Sequence, residues 1–201
     1  HNIFYLDKYK NVLKNMANLG LGWVYSNQDQ HEESISYFDN VLKIDENNQL
    51  ALISKVNSLI WLKEYDEAKT ILKKCLKLFP NSPYVYDALG LIYLNNNQLN
   101  EAEKTFKKVL SINNKTYTCP YEGLGMVYYK QGNIKGAKEN LEKSIEINPN
   151  IEFKKYNTLA KIYIDEGNYQ RAQELLKKSI ENYPYDNESI QLLKSIQKNL
   201  R

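Results

Sequence analysis

The sequence predicts an all-helical protein built from repeated pairs of helices, and two observations support this. Segments similar to Gly20–Tyr25 recur at 54–59, 88–93, 123–128 and 158–163, at intervals of 34, 34, 35 and 35 residues. A small residue recurs at the same intervals, at Ser34, Ala68, Ala102, Ala137 and Ala172. A period of this length is typical of a solenoid, in which each unit buries its apolar face against the next.

Each unit contains two helices separated by a short polar break. A large apolar residue follows each small residue after four positions. A further set of residues, the third column, follows the large ones after three more positions. Spacings of four and three place these columns on one face of the second helix. Breaks at 95–98, 131–133 and 166–168 separate the two helices, and prolines close three units. The columns are Phe38, Leu72, Phe106, Leu141 and Leu176, then Val41, Cys75, Val109, Ser144 and Ser179.

The two ends of the chain depart from the repeat. Residues 1–14 lack the small-residue column, but apolar residues at 3, 6, 9, 13 and 16 keep the helical period, so we expect one long first helix over about 3–28. Residues 187–201 form one more amphipathic pattern. A solenoid needs a terminal cap with a polar outer side, and this segment is predicted to be that cap.

The columns Leu-Gly-x-x-Tyr, Ala-x3-Phe and Pro resemble the tetratricopeptide repeat. The best copy, 83–116, has Leu89, Gly90, Tyr93, Ala102 and Phe106 in place. The copy at 49–82 departs from the pattern in its first helix. The resemblance implies a right-handed α-solenoid of five helix–turn–helix repeats, at about 15–48, 49–82, 83–117, 118–152 and 153–186, in a single array over 1–201.

The Gly-Leu-Gly segments also suggest a dinucleotide-binding loop, but that interpretation fails. The third glycine is replaced by Tyr25 and Tyr128, and no strand precedes either segment. We interpret these glycines as sites where a paired helix approaches closely. We expect Gly22, Gly90 and Gly125, and Ala160 at the same repeat position, to face small residues such as Ala102 and Ala137 in the paired helix.

Composition and side-chain chemistry exclude several functions. A net charge of +3 is too small to indicate nucleic-acid binding. No apolar run is long enough for a membrane span. Cys75 and Cys119 are far apart, and we expect Cys75 to be a small buried hydrophobe. His31-Glu32-Glu33 lacks the second histidine of a zinc-protease helix, so we interpret His31 as a solvated helix start. We expect no metal, no cofactor and no catalytic activity.

The family's first helices line a concave groove that takes a peptide or helix, and the resemblance implies the same use here. It does not imply a chaperone-tail clamp, because the required Lys and Asn set is absent. Trp23, Trp61, Tyr84, Met126 and Tyr129 look surplus to folding. The groove candidates are Leu19, Trp23, Asn27, Ile53, Asn57, Trp61, Tyr84, Asp87, Leu91, Glu122, Met126, Tyr129, Lys130, Asn157 and Lys161, with Met16, Ile60, Leu94, Lys154 and Ile164 beside them.

The expected partner is therefore a protein or peptide, with a second copy of the chain as a further possibility. One alternative is a regulatory or substrate-docking module of a longer enzyme or receptor. RNA binding by analogy with pentatricopeptide arrays is disfavoured, because Leu19 and Ile53 stand where polar base-reading residues are needed. The chain begins His1-Asn2 rather than with Met, so we expect a native N-terminal segment to be missing, and localisation is not predicted.

Overall fold

The structure, a computed structural model, describes residues 2–112, 119–149 and 154–197. These residues form eleven α-helices and no strand, which confirms the all-helical prediction and the long first helix. The helices are α1 (Asn2–Asn27), α2 (His31–Leu42), α3 (Gln49–Trp61), α4 (Tyr65–Leu78), α5 (Pro83–Asn95), α6 (Leu99–Ile112), α7 (Cys119–Lys130), α8 (Ile134–Ile147), α9 (Lys154–Asp165), α10 (Tyr169–Asn182) and α11 (Asn187–Ile196).

The repeat is visible in the backbone of the turns. The turn inside each helix pair contains one residue in the left-handed region, at Asp29 (φ 59°), Lys63 (63°), Asn97 (58°), Gly132 (77°) and Gly167 (76°). These positions have the same intervals of 34 and 35 residues as the sequence repeat. A left-handed residue just past a helix end stops that helix and redirects the chain. Every pair therefore turns at the same point.

The predicted core columns are buried. The small, large and third-column residues of the second helices are all at most 1% exposed. Each of these helices has either an acidic residue in its first turn or an Asn cap, as at Asn133 and Asn168, whose side chains accept from backbone N–H groups. The periodicity thus placed the core correctly.

The chain divides into two compact units, His1–Ile92 (unit 1) and Tyr93–Arg201 (unit 2). In unit 1, one apolar cluster joins α3, α4 and α5, and a smaller one joins α1, α2 and α3 around Phe38. In unit 2, the main cluster joins α8 to α11 and includes Leu141, Tyr156 and Ile196. Cys75 is buried in unit 1 as predicted, and burial raises the pKa of its thiol.

Gly22 and Gly125 face large residues, so the expectation that these two glycines face small ones is wrong. A Cβ atom added to Gly22 would collide with the ring of Phe38, and one added to Gly125 would lie 2.6 Å from Cγ of Leu141. Both neighbours belong to the large-residue column of the paired helix. The missing side chain therefore makes room for a bulky partner, and the helices can still approach closely.

The remaining predictions, on the C-terminal helix and on the loops, are confirmed in part. Helix α11 begins at Asn187 as predicted and is described as far as Ile196, while 198–201 lie outside the described residues. The two intervals of 35 residues predict one extra residue each, which we expect in loops at Tyr117 and near Glu152; both positions lie outside the described residues. Pro120 stands in the first turn of α7, where a proline is tolerated.

Candidate protein-binding surface

Exposed large apolar side chains are concentrated in unit 1. Among the residues with described side chains, eleven of them lie in unit 1 and two, Ile134 and Tyr185, in unit 2. Single exposed apolar residues are normal, but a dense group marks an interaction surface. The eleven are Tyr9, Val12, Leu13, Met16, Leu21, Trp23, Val24, Leu50, Trp61, Leu78 and Tyr84.

Three of these residues occupy the same position in successive repeats. Met16, Leu50 and Tyr84 are 34 residues apart and are 64%, 52% and 49% exposed. An open depression lined by Gln49, Pro80 and Tyr84 adjoins this column. The groove prediction did not include Leu50. Its place in the 34-residue period, between Met16 and Tyr84, is the signal that identifies it.

Trp23 is half exposed and held in place by a hydrogen bond. Its indole Nε1 donates to Oγ of Ser54 at 2.9 Å, which ties α1 to α3. The residue is 42% exposed, so much of it still faces solvent. Trp23 thus has a structural contact as well as an exposed face, and the expectation that it is surplus to folding stays a prediction.

Trp61 is likewise held in place by a neighbouring side chain, that of His31. Its ring stacks on the imidazole of His31, with centroids 5.6 Å apart and planes at 9°. Only 6% of His31 is exposed, so our interpretation of it as a solvated helix start is wrong. Its Nε2 lies 3.9 Å from Oδ1 of Asp29. The stack fixes the plane of Trp61, which is 46% exposed.

One predicted groove position is interior in four of the five repeats. Leu19, Ile53, Asp87 and Asn157 share this position and are at most 8% exposed, whereas Glu122, at the same position, is half-buried. Ile60 and Leu94, at another shared position, are also buried. These six residues are corrected from groove to interior, because their angle on the first helix points them at the neighbouring helices.

The groove candidates of α9 are covered by the chain's own α11. Asn157 donates from Nδ2 to Oδ2 of Asp186 at 2.8 Å and to Oε2 of Glu188 at 3.1 Å. Lys161 forms an ion pair with Glu188 at 2.5 Å. The hydroxyl of Ser189 lies 2.5 Å from Oδ1 of Asn157 and 2.8 Å from Oγ of Ser179. These polar groups already have partners within the protein.

The remaining candidates vary in exposure. Asn27, Asn57 and Lys130 are exposed, whereas Leu91, Glu122, Met126, Tyr129 and Ile164 are half-buried; the side chain of Lys154 is not among those described. Tyr129 packs against the apolar cluster of unit 2. The sulfur atom of Met126 accepts a hydrogen bond from the hydroxyl of Thr158 at 3.2 Å. These two residues therefore also contribute to packing. Their role in a groove stays a prediction.

No helix within the described ranges is both long enough and apolar enough to cross a membrane.

Comparison with known proteins supports the repeat assignment over most of the chain. Tetratricopeptide repeat families match residues 25–92 and 63–118, then 120–151 and 156–186. Anaphase-promoting complex subunit 3 of Schizosaccharomyces pombe is 31% identical over 95 residues, which are 47% of this chain and 14% of that protein. The chain thus spans only a small part of that relative.

Solved structures show the same fold. A thermophilic tetratricopeptide repeat protein of Thermus thermophilus superposes with a TM-score of 0.76 at 19% identity, over 92% of this chain and 98% of that one. YrrB, a tetratricopeptide repeat protein described as having an unusual peptide-binding site, gives 0.54 at 19% identity, over 88% and 90%. Proteins with this fold are generally non-enzymatic scaffolds for protein–protein interaction. The chain belongs to the tetratricopeptide repeat family.

Proposed function

We propose that this protein is an interaction scaffold that binds a peptide or an amphipathic helix of a protein partner on unit 1. The proposed binding surface, called here the unit 1 patch, consists of Met16, Trp23, Leu50, Trp61 and Tyr84. The observation that carries the proposal is the repeated exposure of apolar side chains at Met16, Leu50 and Tyr84. We also propose that the repeat boundaries given above divide one array.

The composition of the patch suits an interface. Trp and Tyr are enriched among the few residues that supply most of the binding energy at protein interfaces. Both bury a large area with few rotatable bonds. Three of the five residues in the patch are aromatic, and each is between 42% and 49% exposed. A partner could therefore bury a large part of each ring.

Two of the aromatic rings are already held in place by contacts within the protein itself. The hydrogen bond from Trp23 to Ser54 and the stack of Trp61 on His31 restrict their rotamers. Side chains that are already ordered lose less entropy on binding, which favours affinity. This arrangement supports a role in binding better than a role as incidental exposed surface.

The chemistry of the patch favours an apolar ligand over a terminal carboxylate. Its five side chains carry no charge, so they offer no cationic clamp. In unit 2, by contrast, Lys161 is paired with Glu188. The fold-level likeness to YrrB, a protein described as having a peptide-binding site, is compatible with peptide binding here.

The test is a binding measurement with a matched pair of tyrosines. Peptides selected against the chain by display would be titrated by calorimetry into the wild type, Tyr84→Ala and Tyr185→Ala. Tyr185 is the control, since it is 94% exposed and lies in unit 2. We expect Tyr84→Ala to weaken binding at least tenfold, about 1.4 kcal/mol, and Tyr185→Ala to change it less than twofold. Equal effects of the two substitutions would refute the patch.

A further inference from the structure

One face of α1 presents a second apolar surface, separate in most of its residues from the unit 1 patch. Tyr9, Leu13, Met16 and Gly20 follow one another at intervals of four, three and four residues. This is the spacing with which one α-helix packs lengthwise against another. Tyr9, Leu13 and Met16 are 67%, 66% and 64% exposed. These four residues are called here the α1 seam.

Tyr9 and Leu13 of the seam are exposed because α1 is much longer than its partner helix. Helix α1 has 26 residues and α2 has 12, about 39 Å against 18 Å at the usual rise per residue. All described side chains from Tyr9 to Lys14 are exposed, and the first buried side chain of α1 is Leu19 among those described. Helix α2 thus covers only the C-terminal part of α1.

Gly20 gives the seam a shape that suits a second helix. A Cβ atom placed on Gly20 would have no neighbouring atom within 4 Å. The position is therefore a gap on the surface, next to the protruding side chain of Met16. In lengthwise helix packing, a side chain of one helix fills such a gap on the other.

The charges beside the seam indicate which helix would fit. Between Tyr9 and Asn27 the only charged residues are Lys10 and Lys14, and both are exposed. They lie about 60° and 100° from Leu13 around the helix axis, so they border the seam. A second α1 would bring three lysines, Lys8, Lys10 and Lys14, and a single carboxylate, Asp7, so it would be net basic. An acidic helix would instead pair with Lys10 and Lys14.

We propose that the α1 seam docks an amphipathic helix of a partner protein that carries Asp or Glu beside its apolar stripe. Apolar contacts along the seam supply affinity, and the two lysines select the acidic partner and orient it. The seam shares Met16 with the unit 1 patch, but its other residues are different. The proposal therefore does not depend on peptide binding by the patch.

The experiment uses two designed helical peptides of about three heptads, with Leu at a and d. The acidic probe has Glu at the flanking e and g positions, and the basic probe has Lys there. Each would be titrated into the full chain by fluorescence anisotropy. We expect the acidic probe to bind at least tenfold more tightly (about 1.4 kcal/mol), and Leu13→Gln to weaken it to the same extent. The double substitution Lys10→Glu and Lys14→Glu should reverse the preference between probes.

The controls separate this proposal from the previous one. Leu78→Gln removes another exposed leucine, on α4, and should leave the affinity for the acidic probe nearly unchanged, as should Tyr84→Ala. Circular dichroism would verify that each variant is folded. Three results would overturn the proposal: equal affinity for the two probes, unchanged binding by Leu13→Gln, or a dimer in sedimentation that Leu13→Gln dissociates. The last result would assign the seam to a second copy of the chain.

Discussion

Unit 2 covers the first helix of its last repeat with its own C-terminal helix, whereas unit 1 leaves the corresponding surface open. Trp23 and Lys161 occupy the same repeat position. Trp23 is 42% exposed and apolar, while Lys161 is paired with Glu188 of α11. The same repeat position therefore lies on an open apolar surface in one unit and on a closed polar one in the other. The closed surface arises from α11, whose Glu188 pairs with Lys161, as a polar cap at the end of a solenoid would.

The largest expected effect tests whether the two units are packed alike inside their helix pairs. Gly22→Ala in unit 1 and Gly125→Ala in unit 2 each place a methyl group against a buried large side chain. We expect each substitution to reduce the free energy of unfolding by about 1–3 kcal/mol. Chemical denaturation would measure it. A cost in one unit alone would show that the pairs are packed differently.

The next effect concerns the cap of unit 2. Asp186 accepts hydrogen bonds from the backbone N–H groups of Glu188 and Ser189 at the start of α11. Asp186→Ala should destabilise α11 by about 0.5–2 kcal/mol, and hydrogen exchange should accelerate in α11. Asn187→Ala, at an exposed neighbouring position, is the control. No change in the exchange of α11 would mean that the cap is held by its apolar contacts alone.

The carboxylate of Asp186 also predicts that the stability of the protein depends on pH. Burial raises the pKa of Asp186, but hydrogen bonds from Ser189, Asn157 and the backbone outweigh it and hold the pKa below its ordinary value. The stability that this group adds is therefore complete above the ordinary carboxyl pKa and is lost as pH falls through the lowered one. Asp186→Asn should remove that part of the acid dependence. Identical acid-unfolding curves for Asp186→Asn and wild type would contradict this.

A smaller effect is expected in unit 1. Trp23→Phe keeps an aromatic ring but removes the donor to Ser54, and should cost about 0.5–1.5 kcal/mol of stability. A double-mutant cycle with Ser54→Ala would isolate the hydrogen bond. A coupling energy near zero would show that packing alone holds the indole.

The smallest effect has the opposite sign. Gly20 lies two residues from Gly22 in the same helix, yet a Cβ at Gly20 meets no neighbour. Gly20→Ala should therefore stabilise the chain by about 0.5–1 kcal/mol, since alanine is the better helix former. Thermal unfolding would measure it beside Gly22→Ala. If both glycines responded alike, the contrast between the filled and the empty side of α1 would be wrong.

Most of the fold could be predicted from the sequence, because the period reports which residues share a helix face. The core columns, the extent of α1 and the start of α11 follow from it. The period does not report which neighbour covers a given face. For this reason the position of Leu19 and Asn157 was assigned to the groove although it is interior. The glycines were matched to small residues for the same reason.

The candidate site was less predictable, because it depends on contacts between distant parts of the chain. The hydrogen bonds of Asn157 span 29 and 31 residues, and the stack of Trp61 on His31 joins two helices. Neither contact has a local sequence signal. Leu50 could have been predicted as a surface residue of this site, because it lies 34 residues after Met16 and 34 residues before Tyr84.

Because every helix pair has a left-handed turn residue at the same place, one pair could be exchanged for another. Because the chain reverses at an equivalent residue in every pair, as at Lys63 and Gly132, a cut between pairs leaves each turn intact. Deletion or duplication of one pair would then change the length of the array, and the remaining pairs would still bury their apolar faces against their neighbours. A chain of this kind can vary how much surface it exposes by changing the number of its repeats.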